Sequence, residues 1–284
     1  MNKLTDTYEL SNGVQIPVVG FGTWQTPSGD VAKASVKSAL AAGYRHLDTA
    51  EMYHNESSVG EGIAESGVAR EDIFLTSKLA NTEHTYDQAQ AAFAQTLKDL
   101  GVDYLDLFLI HWPNPSAYRE DNWESHLQET WRAFEDLYNE GKIKAIGVSN
   151  FRPRHFKVLE ETQTIMPMIN QIRLAPGDTN KETIAYAHDH NIQLEAYSPL
   201  GTGAIFAEPT MVEIAERVGR TVAQVTLRWS LQNGFLPLPK SVHADRIEEN
   251  THLFDFELSD EDMAKINALE GVVDYAQDPD TATF

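Results

Sequence analysis

Asp48, Tyr53, Lys78 and His111 are the residues from which chemistry can be argued first. A free tyrosine titrates near ~10 and is a poor proton donor to a carbonyl at neutral pH. A lysine ammonium beside it favours the tyrosinate and lowers that pKa, and an aspartate paired with the lysine keeps it charged and oriented. A neutral histidine can donate a hydrogen bond to the same substrate oxygen and position it. The set suits protonation of an oxygen that is gaining negative charge, which describes a carbonyl receiving hydride. None of the four is a hydride donor, so the chemistry calls for a cofactor.

The second half of the chain offers a place for one. Tyr197 could stack on a flat ring, and Ser149, Asn150 and Gln171 could bind a carboxamide. The small, flexible run Ser198-Pro199-Leu200-Gly201-Thr202-Gly203 suits a phosphate cradle. In the segment Lys240-Ser241-Val242-His243-Ala244-Asp245-Arg246, two cations stand out against an acidic chain and could hold an extra phosphate.

These residues need elements that bring them together. Eight short apolar runs read as strands: 18–22, 44–48, 73–78, 105–111, 145–149, 168–171, 193–197 and 236–239. Amphipathic stretches lie between them. Helices are expected over 30–42, from the capping pair Thr85 and Gln88 to Gly101, and over 123–140, 153–161, 179–190, 209–218 and 222–231. A last one opens at Ser259-x-x-Asp262. A hairpin is expected at the start, turning at Ser11-Asn12-Gly13, and an irregular polar tail at the end.

Alternating strands and helices predict parallel βαβ units. A doubly wound sheet would carry a third glycine and an open backbone after its first strand, but here the chain reads Gly20-Phe21-Gly22-Thr23-Trp24-Gln25. A (β/α)8 TIM barrel with an N-terminal hairpin is therefore expected, as a single domain over 1–284 with no linker or low-complexity break. In a barrel, strand ends line the C-terminal mouth. Trp24, Asp48 with Tyr53, Lys78, His111 with Trp112, Ser149 with Asn150, Gln171, Tyr197 with Ser198, and Lys240 with Ser241 then form a ring around one cavity.

Composition narrows the partners. A net charge of −21 repels nucleic acid and anionic lipid over most of the surface, and no apolar run reaches the length of a membrane span. The absence of cysteine excludes disulfides and thiolate metal sites and fits a reducing compartment. The opening MNKLTDTYEL has no apolar signal core, so a cytoplasmic location is expected.

The motifs together resemble the aldo-keto reductase family, most of all its bacterial members related to diketogluconate reductases. The resemblance runs through LSNGVQIPVVGFGTWQ, GYRHLDTAEMYHNE, LTSKL, DYLDLFLIHWP, GKIKAIGVSNF, INQ, LEAYSPLG and LPKSVHADRIEEN. It implies a (β/α)8 barrel that reduces aldehydes and ketones with NADPH, as a monomer. It implies Tyr53 as the acid, Lys78 and Asp48 as its tuning pair and His111 as the orienting donor. It puts Ser149, Asn150, Gln171 and Tyr197 around the nicotinamide. Ser198, Leu200, Lys240, Ser241, Arg246, Glu249 and Asn250 would lie along the pyrophosphate, ribose phosphate and adenine. Trp24, Trp112 and the tail would shape the substrate pocket. The chain departs from the family pattern at Ile172-Arg173-Leu174, at His243, and at Glu51 and Met52, which would narrow the pocket or change its polarity.

Two other readings stay open on the residues. His46-x-Asp48 with Lys78 and His111 could belong to a metal-dependent barrel hydrolase, although Ser149, Gln171, Tyr197 and Lys240 are a poor ligand set. The same barrel could serve as a nucleotide-sensing subunit that turns over slowly.

Overall fold

The structure, a computed structural model, describes residues 1–274 and 276–283; Tyr275 and Phe284 of the predicted tail lie outside the described residues. Strands β1 (Thr7–Glu9) and β2 (Gln15–Pro17) pair antiparallel as the predicted hairpin. Its turn places Gly13 at φ 86°, a conformation glycine reaches without a Cβ clash. The hairpin covers the N-terminal end of the barrel. Asn12 Nδ2 donates to the Lys144 carbonyl at 2.9 Å, and Ile16 and Leu10 are buried.

Eight parallel strands follow: β3 (Phe21–Gly22), β4 (His46–Asp48), β5 (Phe74–Leu79), β6 (Leu105–Ile110), β7 (Ile143–Ser149), β8 (Ile169–Arg173), β9 (Gln193–Tyr197) and β10 (Leu236–Leu238). Each pairs with its neighbours in chain order. The last joint, β10 to β3, is made by Gly20 N–H to the Pro237 carbonyl at 3.1 Å and Gly22 N–H to the Pro239 carbonyl at 3.0 Å. A Cβ on Gly20 would lie 2.5 Å from Leu238 Cδ2 and 2.6 Å from His46 Nδ1, so the joint needs glycine for close approach.

The helices are α1 (Asp30–Ala41), α2 (Glu56–Glu65), α3 (Tyr86–Leu100), α4 (Trp123–Asn139), α5 (Pro153–Glu160), α6 (Lys181–Asp189), α7 (Pro209–Val218), α8 (Val222–Gln232), α9 (Ala244–Glu249) and α10 (Asp260–Asn267). Local chemistry sets several ends. The Thr85 side chain accepts the Gln88 N–H at α3, Ser259 and Asp262 cap each other at α10, and α7 runs from Pro209 to a left-handed Gly219. Helices α2 and α9 are additions to the sequence-based set. The expected first strand is shortened to Phe21–Gly22 because Val18 N–H bonds the Asp6 carbonyl beside the hairpin. The core is continuous between strands and helices, with Phe108 of β6 stacked on Phe134 of α4 at 4.7 Å.

Candidate active site

Strand register places the acid–base groups. Asp48 ends β4 beside Thr76 of β5, and Lys78 stands two residues further on, on the same face as Thr76. The Lys78 side chain is fully buried. Its Nζ donates to Asp48 Oδ1 at 2.7 Å, the Thr49 carbonyl at 2.9 Å and the Tyr53 hydroxyl at 3.3 Å, which uses all three ammonium hydrogens. Burial opposes the charge on Lys78, but Asp48 and Tyr53 outweigh it and hold its pKa above the ordinary value. Tyr53 comes from the one-turn 3-10 segment Glu51–Tyr53 that follows β4.

The expected lowering of the Tyr53 pKa is not the net result. Burial pushes it up more than Lys78 pulls it down, and the Asp48 charge adds to the rise. The phenol therefore stays protonated across the neutral range, poised as a donor. The His111 ring meets the Tyr53 ring edge-on at 5.8 Å between centroids. Burial, then the Lys78 charge, then His84 hold the His111 pKa well below the usual imidazole value, so His111 is neutral.

Across the barrel floor a second set interlocks. Ser149 Oγ donates to the Gln171 carbonyl at 2.8 Å. Asn150, at φ 63°, donates through Nδ2 to the His111 carbonyl at 2.9 Å and to Ser149 Oγ at 3.1 Å. Its Oδ1 accepts the Tyr197 hydroxyl at 2.8 Å, which fixes the edge of the Tyr197 ring.

These residues line a cavity of about 590 Å³ at the C-terminal mouth. Of the predicted site residues, the wall contains Trp24, Asp48, Tyr53, His111, Trp112, Ser149, Asn150, Gln171, Tyr197, Ser198, Leu200 and Lys240. Lys78 stands behind Asp48 and Tyr53. Ser241, Arg246, Glu249 and Asn250 are not in the wall; they lie on or beside α9. There Ser241 Oγ accepts the His243 N–H at 3.1 Å, and Glu249 Oε1 accepts the Thr221 hydroxyl at 2.7 Å. Met52 lines the cavity, whereas Glu51 turns away to accept the Ala80 N–H at 3.3 Å, so only Met52 narrows it.

Arg173, noted in the sequence as a departure from the family pattern, and Gln277, in the tail expected to shape the pocket, were not named as site residues, yet both stand in this wall and in that of a neighbouring cavity of about 440 Å³. Arg173 had a legible signal, lying two residues beyond Gln171 on the same strand. Gln277 had no signal of its own beyond that of the tail, which is aperiodic. The tail is strapped across the mouth: Arg152 pairs with Asp278 at 2.9 Å, His155 Nε2 lies 3.1 Å from Asp280, and Arg154 also pairs with Asp280. The sequence pairing of His46 with Asp48 is not a ligand pair. His46 Nε2 is 3.0 Å from the Thr76 hydroxyl and faces Glu195.

Comparison with known proteins places this chain among the NADP-dependent oxidoreductases that act on carbonyl and alcohol groups. The chain belongs to the aldo/keto reductase family, whose model matches residues 18–270. It is 47% identical over 281 residues to glyoxal reductase of Bacillus subtilis, covering 99% of each chain. An aldo-keto reductase from a Medee basin deep-sea metagenome library superposes with a TM-score of 0.92 at 39% identity, covering 98% of this chain and 100% of that one. A Bombyx mori aldo-keto reductase in complex with NADP gives 0.87 at 36% identity, with 95% of each chain covered.

Proposed function

We propose that the protein reduces a small aldehyde or ketone to the alcohol, reversibly, with NADPH as cofactor and Tyr53 as the proton donor. The observation that carries this is Lys78 Nζ, which bonds Asp48 and Tyr53 together while Tyr53 and His111 face the cavity. The wall fits the cofactor. Tyr197 offers a ring face beside the amides of Asn150 and Gln171. The 3-10 segment Gly201–Ala207 starts with three positive-φ residues, Gly201, Thr202 and Gly203, whose backbone can curve around phosphate. Lys240 stands at the rim with its Nζ 3.3 Å from the Gln25 carbonyl.

When bound, the nicotinamide supplies the hydride. Tyr197, Asn150, Ser149 and Gln171 would hold it, and Ser198, Leu200 and Lys240 would hold the phosphates. Ser241, Arg246, Glu249 and Asn250 would take the far end along α9. His111, being neutral, donates a hydrogen bond that orients the substrate oxygen. Tyr53 gives its proton as negative charge grows there, and Lys78, kept charged by Asp48, stabilises the tyrosinate left behind. Trp24, Met52 and Trp112 wall the remaining space and favour small carbonyls, in keeping with the similarity to a glyoxal reductase. We place the enzyme in the cytoplasm, acting as a monomer and as one barrel unit over 1–284; no helix among the described residues is long and apolar enough to cross a membrane.

The test is NADPH oxidation against a panel of small aldehydes, dicarbonyls and ketones, repeated with NADH. Turnover of several aldehydes with NADPH is expected. No turnover of any carbonyl with either cofactor would overturn the reading.

A further inference from the structure

Glu195 is a carboxyl group the mechanism above does not use. It sits on β9 two residues before Tyr197, and its side chain is fully buried inside the barrel. Its Oε2 accepts a hydrogen bond from Gln171 Nε2 at 2.8 Å. The same Nε2 donates to Asp48 Oδ2, also at 2.8 Å. An amide nitrogen carries two hydrogens, so both are taken. The opposite amide orientation would turn the Gln171 carbonyl oxygen toward Asp48 Oδ2, a carboxylate oxygen that can only accept, which repels it. Gln171 also lines the cavity, and the atom it has left to offer there is its carbonyl oxygen.

We propose that Glu195 is a positioning residue for this cavity: with Asp48 it holds the Gln171 amide with both N–H groups turned inward, so that Gln171 meets the nicotinamide carboxamide only as an acceptor. The inference rests on the reductase reading above. A carboxamide binds through its NH2 to such an acceptor, which selects one face of the ring.

The charge of Glu195 follows from its surroundings. From β4 it faces His46 and Asp48, from β5 Lys78, and from β8 the neutral Gln171; its partner in register on β10 is Leu236. Lys78 is committed to Asp48 at 2.7 Å. His46 is no counter-ion, because burial and then Lys78 depress its pKa to about 3, and its Nε2 is 3.7 Å from Glu195 Oε1. That Oε1 has no hydrogen-bond partner among the described residues. Burial first, and then the Asp48 charge, raise the Glu195 pKa to about 8. Glu195 is therefore neutral at pH 7 and ionises on the alkaline side. A negative charge there favours the cationic ring of NADP+ over the neutral ring of NADPH, so the affinity ratio must move with pH through this group.

The experiment measures binding of NADPH and of NADP+ by intrinsic fluorescence between about pH 6.5 and pH 9.5, without substrate. Wild type, Glu195→Gln and Glu195→Leu are compared. The wild-type ratio is expected to shift several-fold toward NADP+ as pH rises. Glu195→Gln keeps an acceptor for Gln171 and loses the charge, so it should bind normally at pH 7 with a flat ratio. Glu195→Leu removes the acceptor, and both cofactors should bind about tenfold more weakly at every pH. An unchanged pH dependence in Glu195→Gln, or wild-type affinities in Glu195→Leu, would overturn the inference. Should the leucine variant not fold, the isosteric glutamine variant decides alone. A wild-type chain that bound neither cofactor would overturn the reductase reading and this inference with it.

Discussion

The two sides of the cavity are built by opposite means. On the β4–β5 side, Asp48 and Lys78 belong to strands, are buried, and hold one another by short hydrogen bonds. On the β9–β10 side, the proposed phosphate contacts belong to loops, and Lys240 is exposed, its Nζ 3.3 Å from the Gln25 carbonyl. On the proposed reading the first side presents the same proton in the same place at every turnover, which groups fixed by strand register do without being reordered at each cycle. On the same reading the second admits and releases a large anion, which loops allow.

The sharpest way to break this contrast is Tyr53→Phe. It keeps the ring and removes the proton. We expect kcat to fall about 10²–10⁴-fold in steady-state assays while NADPH binding stays within about twofold. Equal losses in both would mean that the two sides are not separable. Lys240→Ala should do the reverse, raising KM for NADPH about tenfold with kcat and the NADH reaction little changed; a matching fall in kcat would show that the rim cation reaches the chemistry.

A smaller effect probes the support behind Lys78. Glu56 of α2 accepts the Ser77 hydroxyl at 2.6 Å, and burial raises its pKa to about 7. An acid whose pKa is higher folded than unfolded binds more protons in the native state between the two values. Stability should therefore fall as pH rises from about 4.5 to about 7, by roughly 1–3 kcal/mol, and stay low above that. Denaturant unfolding of Glu56→Gln across that range should remove this part of the slope; an identical slope would place the titration elsewhere.

How far the sequence could be read follows the same division. The strands were legible because a polar residue ends each apolar run, and α7 because Pro209 and Gly219 bracket it. Helix α2 was hidden by its own packing. Its Gly60 and Gly62 lower helical propensity, yet a Cβ on Gly60 would lie 2.2 Å from the Leu100 carbonyl oxygen and one on Gly62 would lie 2.9 Å from Val36 Cβ. The signal that weakened the helix is the one that lets α2 approach α1 and α3. The acid–base set was legible as residue types in order, but the net direction of the Tyr53 pKa was not, because desolvation depends on burial that no spacing reveals. Glu195 shares a face with Tyr197, two residues on, and was passed over because spacing does not reveal how deeply a carboxyl group is buried.

The joint between β10 and β3 has a mechanical consequence. In a parallel pair, a residue turns its N–H and its carbonyl to the same neighbour. Pro237 and Pro239 turn toward β3, and proline has no N–H to give. The hoop is thus stitched in one direction only, by glycine donors onto proline acceptors, whereas the other joints can be stitched both ways. Two donors that a parallel joint would otherwise contribute are missing along this line. That line reaches the mouth beside Lys240, at the rim where the proposed reading places the cofactor phosphates.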